Sequence, residues 1–150
     1  KMKICINDNV NVASKCKGLI DILHLGQTDM DPNEAKKLID QNIQIGLSIT
    51  NENQLGNIPN CVNYLGVGPI FPTGSKIDAS EPMGSNTLKE IINKTNLPVV
   101  AIGGISIDSI CDLFKLGVSG VAVISAILNE NNPIENFQKI KENIIKGTKK

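Results

Sequence analysis

The sequence predicts an α/β fold of the (β/α)8 TIM-barrel kind, and three observations carry that expectation. Six short apolar runs alternate with stretches of helical period, and no two runs are joined by a hairpin signal; this pattern points to parallel strands linked by helical crossovers. The runs lack a 3.6-residue period, so they read as strands buried on both faces. Polar groups recur at or just past the C-terminal end of each run: Asn7/Asp8, Gln27/Asp29, Ser48, Thr73/Ser75/Lys76, Gly103/Gly104 and Ser125. An open sheet gathers its ligand site at one switch point. A barrel gathers it from every strand end, and the distribution selects the barrel.

Taken in order, residues 3–6 form the first run, followed by Asn7-Asp8 and a helical patch that reaches Lys17 and closes at Gly18. Residues 20–25 are the second run, ending in Gly26-Gln27-Thr28-Asp29. Asp31 as N-cap and Pro32 at the first helical position open a helix to about Asn42, with Leu38 and Ile39 on one face. Residues 43–48 are the third run. The segment from Asn51 to Asn60 is at most weakly helical, limited by Gly56 and Pro59. The fourth run begins near Asn63. A helix follows over 85–95, with Leu88, Ile91 and Ile92 together. Residues 97–102 are the fifth run, closed by Gly103-Gly104. A helix over 108–116 stops at Gly117, and residues 120–124 are the sixth run. The last helix, about 133–145, places Ile134, Phe137, Ile140 and Ile144 on its apolar side.

At 150 residues the chain is one domain, 1–150, long enough to bury a core. Fifteen basic residues balance fifteen acids, so no net field draws the chain to nucleic acid or to a membrane surface. Every permanent cation is Lys, which excludes bidentate guanidinium recognition. A phosphate must then be held by backbone N–H, hydroxyl, Lys or a metal. Four cysteines, at 5, 16, 61 and 111, show neither C-x-x-C nor zinc spacing. They read as reduced thiols of a cytoplasmic protein, with Cys5 and Cys61 as small buried hydrophobes. No apolar run approaches the roughly 20 residues of a membrane span, and no signal peptide opens the chain.

The stretch Tyr64-Leu65-Gly66-Val67-Gly68-Pro69-Ile70-Phe71-Pro72-Thr73-Gly74-Ser75-Lys76 concentrates the chemistry. It is a strand followed by two hydroxyls, a flexible backbone and one ammonium, the groups an anionic phosphate needs; an ordinary Pro/Gly turn is the plainer alternative. Gly103-Gly104 and Ile124-Ser125 close the last two strands, where such barrels often hold phosphate, and a helix N-terminus near Ser106 would add its dipole. Asp8 and Asp29 follow consecutive strands, which lie about 4.8 Å apart in a sheet. Two carboxylates that close repel unless protonated or bridged. A Mg2+ ion completed by substrate phosphates fits them, with helix capping as the alternative. Asp31 is the better-placed cap, which leaves Asp29 for other work. His24, the single histidine, lies within a strand and reads as an interior residue. With no Ser/His/Asp set and no cysteine nucleophile beside a base, the chemistry should be electrostatic: a metal and a Lys stabilising a departing anion.

These segments together resemble the thiamine-phosphate synthase (thiamine-phosphate pyrophosphorylase) family. The resemblance rests on Ile6-Asn7-Asp8, His24-Leu25-Gly26-Gln27-Thr28-Asp29, Ile45-Gly46-Leu47-Ser48, the stretch 64–76, Ala101-Ile102-Gly103-Gly104-Ile105 and residues 120–125, in the family's order. That family couples a hydroxymethylpyrimidine diphosphate to a thiazole phosphate, giving thiamine phosphate and pyrophosphate. The resemblance implies that Asp8 and Asp29 hold Mg2+ and that Asn7, Ser48 and Lys76 bind the pyrimidine diphosphate. It implies further that Thr73, Gly74, Ser75, Gly104, Ile124 and Ser125 hold the thiazole phosphate, with Asp8, Asp29 and Lys76 as the catalytic groups.

The chain departs from the family pattern at three points. Ser75 stands where the family often has Thr, the segment after Ser48 is short and Asn-rich, and the first two βα units have no counterpart. Those units carry a Gln-x-[RK]-x-[KR] motif for the diphosphate. The expectation is therefore a partial barrel of about six units, the third to the eighth, from a larger or bifunctional parent chain, inactive or poorly folded by itself. A thiazole tautomerase relative is disfavoured because Ile49-Thr50-Asn51, without His, follows Ser48. A phosphate-sugar epimerase lacks its acid/base pair here. A degenerate domain that only binds thiazole phosphate is the alternative from another functional class.

Overall fold

The computed structural model describes residues 2–74, 81–128 and 132–149. Strands β1 (Cys5–Asn7), β2 (Ile22–Leu25), β3 (Gln44–Ile49), β4 (Val62–Val67), β5 (Val99–Ile102) and β6 (Gly120–Ala122) form one parallel sheet in sequence order. The sheet curls into a half-barrel, as the alternation of strand and helix predicts. Among the described residues β1 pairs only with β2 and β6 only with β5.

Helices α1 (Val10–Lys15), α2 (Pro32–Leu38), α3 (Gly84–Lys94), α4 (Ile110–Leu116), α5 (Ser125–Leu128) and α6 (Pro133–Thr148) follow the strands, with a 3-10 turn at Glu52–Asn57 after β3. Their starts follow capping chemistry. Asn9 Oδ1 accepts the Val12 N–H at 2.9 Å, Asp31 Oδ1 accepts the Asn33 N–H at 2.8 Å with Pro32 next, and Asn132 caps α6 ahead of Pro133.

Several boundaries differ from the sequence expectation. Helix α2 ends at Leu38 rather than Asn42, because Ile39 turns extended and Lys36 Nζ donates to the carbonyls of Gln41 and Ile43. Helix α4 starts at Ile110, so no helix N-terminus lies at Ser106. There the Ser106 N–H donates to Ser109 Oγ at 3.1 Å and the Ser109 hydroxyl donates to the Ser106 carbonyl at 2.9 Å, a closed turn that uses those groups internally. Helix α6 turns Asn136, Ile140 and Gly147 inward with Ile144 half-buried against the core, so the C-terminal half of the expected apolar stripe holds, whereas Ile134 and Phe137 are exposed. The buried Asn136 donates from Nδ2 to the Ile127 carbonyl at 3.2 Å, which ties α6 to α5.

The strands are buried on one face, not two. Leu23, Leu25, Ile45, Leu47, Leu65, Val67, Val99 and Ala101 pack with Ala13, Ala35, Leu88, Ile91, Ile110 and Leu113 of the helices into a single core. The alternate residues Asn7, His24, Ser48, Tyr64 and Ile102 face the concave side, where they are half-buried or exposed. Cys5 is exposed and Cys61 half-buried, so neither is the buried hydrophobe expected from sequence; all four thiols are free.

Candidate active site at the strand C-terminal rim

Parallel register decides which groups can meet. Asn7 on β1 is level with His24 on β2, His24 with Gly46 on β3, and Gly46 with Tyr64 on β4; one layer further along, Ser48 is level with Gly66. The β3–β4 register shifts between Ile45 and Gly46, and the side chain of Asn63, at the shift, accepts the Ile45 N–H at 2.8 Å. The shift puts Tyr64 on the concave face beside His24.

Glycine makes this layer possible. A Cβ on Gly46 would overlap the Tyr64 ring and His24 Nδ1, and one on Gly66 would lie 2.7 Å from His24 Cε1. The two rings therefore lean over bare backbone and meet, with His24 Nδ1 2.8 Å from Tyr64 Oη and His24 Nε2 2.9 Å from Ser48 Oγ. Burial lowers the His24 pKa, opposed by the negative charge of Asp29, and burial pushes the Tyr64 phenol up, so the pair is a neutral imidazole and a protonated phenol. Gly46→Ala should destabilise the fold by about 1–3 kcal/mol through overpacking. A urea midpoint within error of wild type would show that the ring layer can relax.

Above this layer is the rim. Asp8 directly follows β1 at φ +63°, and its N–H donates to the His24 carbonyl at 2.8 Å. Asn9, not Asp8, caps α1, and Asp31, not Asp29, caps α2, so the capping alternative fails for both acids. Asp29 Oδ2 accepts the Gly26 N–H at 2.6 Å, which holds the carboxylate over the end of β2. Asp8 and Asp29 thus stand at the same end of adjacent strands, both exposed. Among the described residues no group of three or more His, Cys, Asp or Glu side chains forms a ready-made metal cage. Two exposed carboxylates at the ends of adjacent strands suit a hard cation that takes its other oxygens from a bound phosphate.

Ser48 is the penultimate residue of β3, and its carbonyl accepts from Gln27 Nε2 at 2.6 Å, a strap between the ends of β2 and β3. Beyond β4 the chain runs along the end of β5. The Ile70 N–H donates to the Ile102 carbonyl at 2.9 Å and the Phe71 N–H to the Gly103 carbonyl at 3.1 Å. Gly103 and Gly104 have φ of +89° and +65°, and a Cβ on Gly104 would lie 2.5 Å from the Pro72 carbonyl oxygen. This packing brings Thr73 and Gly74, which follow Pro72, into the loop beside Gly104. Ile124 and Ser125 sit past β6, where Ile124 is exposed and Ser125 opens α5, a short helix the sequence did not reveal. Ser75 and Lys76 lie outside the described residues.

The ring contact of Tyr64 with His24 and the Gln27 strap were missed from sequence. The available signal was glycine at alternate strand positions, Gly46 and Gly66, which marks where a neighbouring side chain crosses the backbone. Among the described residues no helix is long and apolar enough to cross a membrane.

A family model described as thiamine monophosphate synthase matches residues 1–127. A thiamine-phosphate synthase of Lactococcus lactis subsp. lactis (strain IL1403) is 41% identical over 140 residues, covering 93% of this chain and 64% of that protein. One from Clostridium botulinum (strain Loch Maree / Type A3) is 40% identical over 133 residues, covering 88% of this chain and 64% of that protein. The solved structure of a thiamine phosphate pyrophosphorylase from Pyrococcus furiosus superposes with a TM-score of 0.84 at 31% identity, over 97% of this chain and 68% of that one. The chain therefore spans slightly under two thirds of the length of these curated relatives, 64% in both cases.

Proposed function

Because this chain belongs to the thiamine monophosphate synthase family, we propose that its rim serves the coupling of a hydroxymethylpyrimidine diphosphate to a thiazole phosphate, forming thiamine phosphate and pyrophosphate. The observation that carries the reading is the sheet order: β1 to β6 run parallel and adjacent, so Asp8, Asp29, Ser48, Gly104 and Ser125, each at a strand's C-terminal end, share one rim. Parallel barrels hold their chemistry there.

In this reading Asp8 and Asp29 hold Mg2+. When bound, the ion neutralises charge that builds on a departing pyrophosphate. Asn7 and the Ser48 hydroxyl orient the diphosphate from the concave face, and Lys76 supplies a further cation. Thr73, Gly74, Ser75, Gly104, Ile124 and Ser125 receive the thiazole phosphate, so the thiazole nitrogen faces the pyrimidine methylene. The bond to the pyrophosphate oxygen breaks with its electron pair, and the nitrogen lone pair forms the new bond to carbon. No residue must move a proton in that step, which agrees with a rim that pairs carboxylates with hydroxyls and holds its one histidine neutral. The work of the site is positioning and charge stabilisation. A cytoplasmic setting and small-molecule substrates without nucleic acid or membrane complete the proposal.

The test is direct: the protein in its full-length form is supplied with both precursors and Mg2+, and thiamine phosphate and pyrophosphate are measured. Stoichiometric appearance of the two products supports the reading. Tight binding of thiazole phosphate without product would favour the binding-only alternative.

A further inference from the structure

Three side chains on neighbouring strands form a linear chain: Tyr64 Oη to His24 Nδ1 at 2.8 Å, and His24 Nε2 to Ser48 Oγ at 2.9 Å. A neutral imidazole carries one proton, so one ring nitrogen donates and the other accepts. Two directions are then open. In one, Ser48 gives its hydroxyl proton to Nε2, the ring is protonated at Nδ1, and Tyr64 accepts. In the other, Tyr64 donates to Nδ1, Nε2–H donates to Ser48 Oγ, and the Ser48 proton is left over.

We propose that the chain runs one way, from Tyr64 through the Nε2–H tautomer of His24 to Ser48, so that His24 is a positioning residue that frees the Ser48 hydroxyl proton for an oxyanion at the rim. The choice follows from donor and acceptor strength. A phenol O–H is a stronger donor than an imidazole N–H, and an unprotonated imidazole nitrogen is a far better acceptor than a phenol oxygen. Reversing the chain would make the phenol oxygen an acceptor and turn its proton towards the Cys5 thiol, a weak acceptor. Burial keeps the Tyr64 proton on its oxygen. The strands support the geometry, because the rings lie over Gly46 and Gly66, where a Cβ would collide with them, and Gln27 Nε2 holds the Ser48 carbonyl at 2.6 Å. The site then presents a hydroxyl whose proton is free to donate outward, which suits a diphosphate. The identity of that ligand as a diphosphate rests on the function proposed above; the tautomer does not.

His24 is the single histidine of the chain, so 15N labelling of histidine gives one ring and no assignment ambiguity. Long-range 1H–15N spectra of the wild-type protein at neutral pH, with no substrate present, should show a protonated Nε2 and a pyridine-like Nδ1. Tyr64→Phe, which keeps the ring and removes only the phenol proton, should lose that preference. It should also weaken binding of inorganic pyrophosphate in Mg2+ about three- to tenfold, the worth of one oriented hydrogen bond. A wild-type ring protonated at Nδ1 would overturn the proposal, as would a Tyr64→Phe variant that binds pyrophosphate as well as wild type. Failure to form thiamine phosphate with the Nε2–H tautomer in place would instead count against the function and leave the tautomer standing.

Discussion

Asp29→Asn in the full-length protein is expected to lower thiamine phosphate formation by about a hundredfold, a loss of the size that follows disturbance of a metal's ligand sphere. The substitution is a clean one. An amide oxygen still accepts the Gly26 N–H that Asp29 Oδ2 accepts at 2.6 Å, so the turn closing β2 keeps its bond and the unfolding midpoint should barely move. Asp8→Asn should behave alike, since Asn tolerates the φ of +63° that Asp8 adopts better than most residues do. What both variants lose is negative charge, and the apparent affinity for Mg2+ should fall with it. Raising Mg2+ should therefore recover part of the rate. Steady-state rates across a Mg2+ titration check this, and a rate unchanged by either variant would remove the metal from Asp8 and Asp29.

The sequence and the structure part company in an instructive way. Strand order and the polar rim were legible because parallel βα units leave a period-free apolar run followed by Gly, Asp or Ser, and all six runs became strands within a few residues. Asn9 and Asp31 as caps were legible only for α2, where Asp31-Pro32 is unambiguous. At Asn7-Asp8-Asn9 three residues could each cap, and backbone geometry decides in favour of Asn9. The concave face was not legible. His24, Ser48 and Tyr64 are 24, 16 and 40 residues apart in their three pairings, and only the shift in register at β4 aligns them. A one-residue slip in a strand reverses which side each chain faces. The missing helix start at Ser106 has a similar cause: Ser106 and Ser109 satisfy one another locally, a competition between side chain and helix that composition does not resolve.

The second large effect concerns Gly104, where conformation and space act together. Its φ of +65° costs about 1–2 kcal/mol for a residue with a side chain. The added Cβ would also stand 2.5 Å from the Pro72 carbonyl oxygen and 2.6 Å from that of Phe71. Those are backbone atoms anchored by the Ile70 and Phe71 N–H bonds to the end of β5, so they cannot rotate away as a flexible side chain would, and overpacking adds about 1–3 kcal/mol. Gly104→Ala should therefore lower stability by about 2–5 kcal/mol, read as a shift of the urea midpoint at constant slope. Gly74 supplies the contrast. It lies in the adjoining loop and no atom of the described residues stands within 4 Å of a Cβ placed there, so Gly74→Ala should stay within about 0.5 kcal/mol of wild type. If both glycines contribute to a thiazole phosphate site, KM for that substrate rises in both variants while stability falls in one. A rise confined to Gly104→Ala would mean that the loop's packing, and not its backbone amides, is what the phosphate requires.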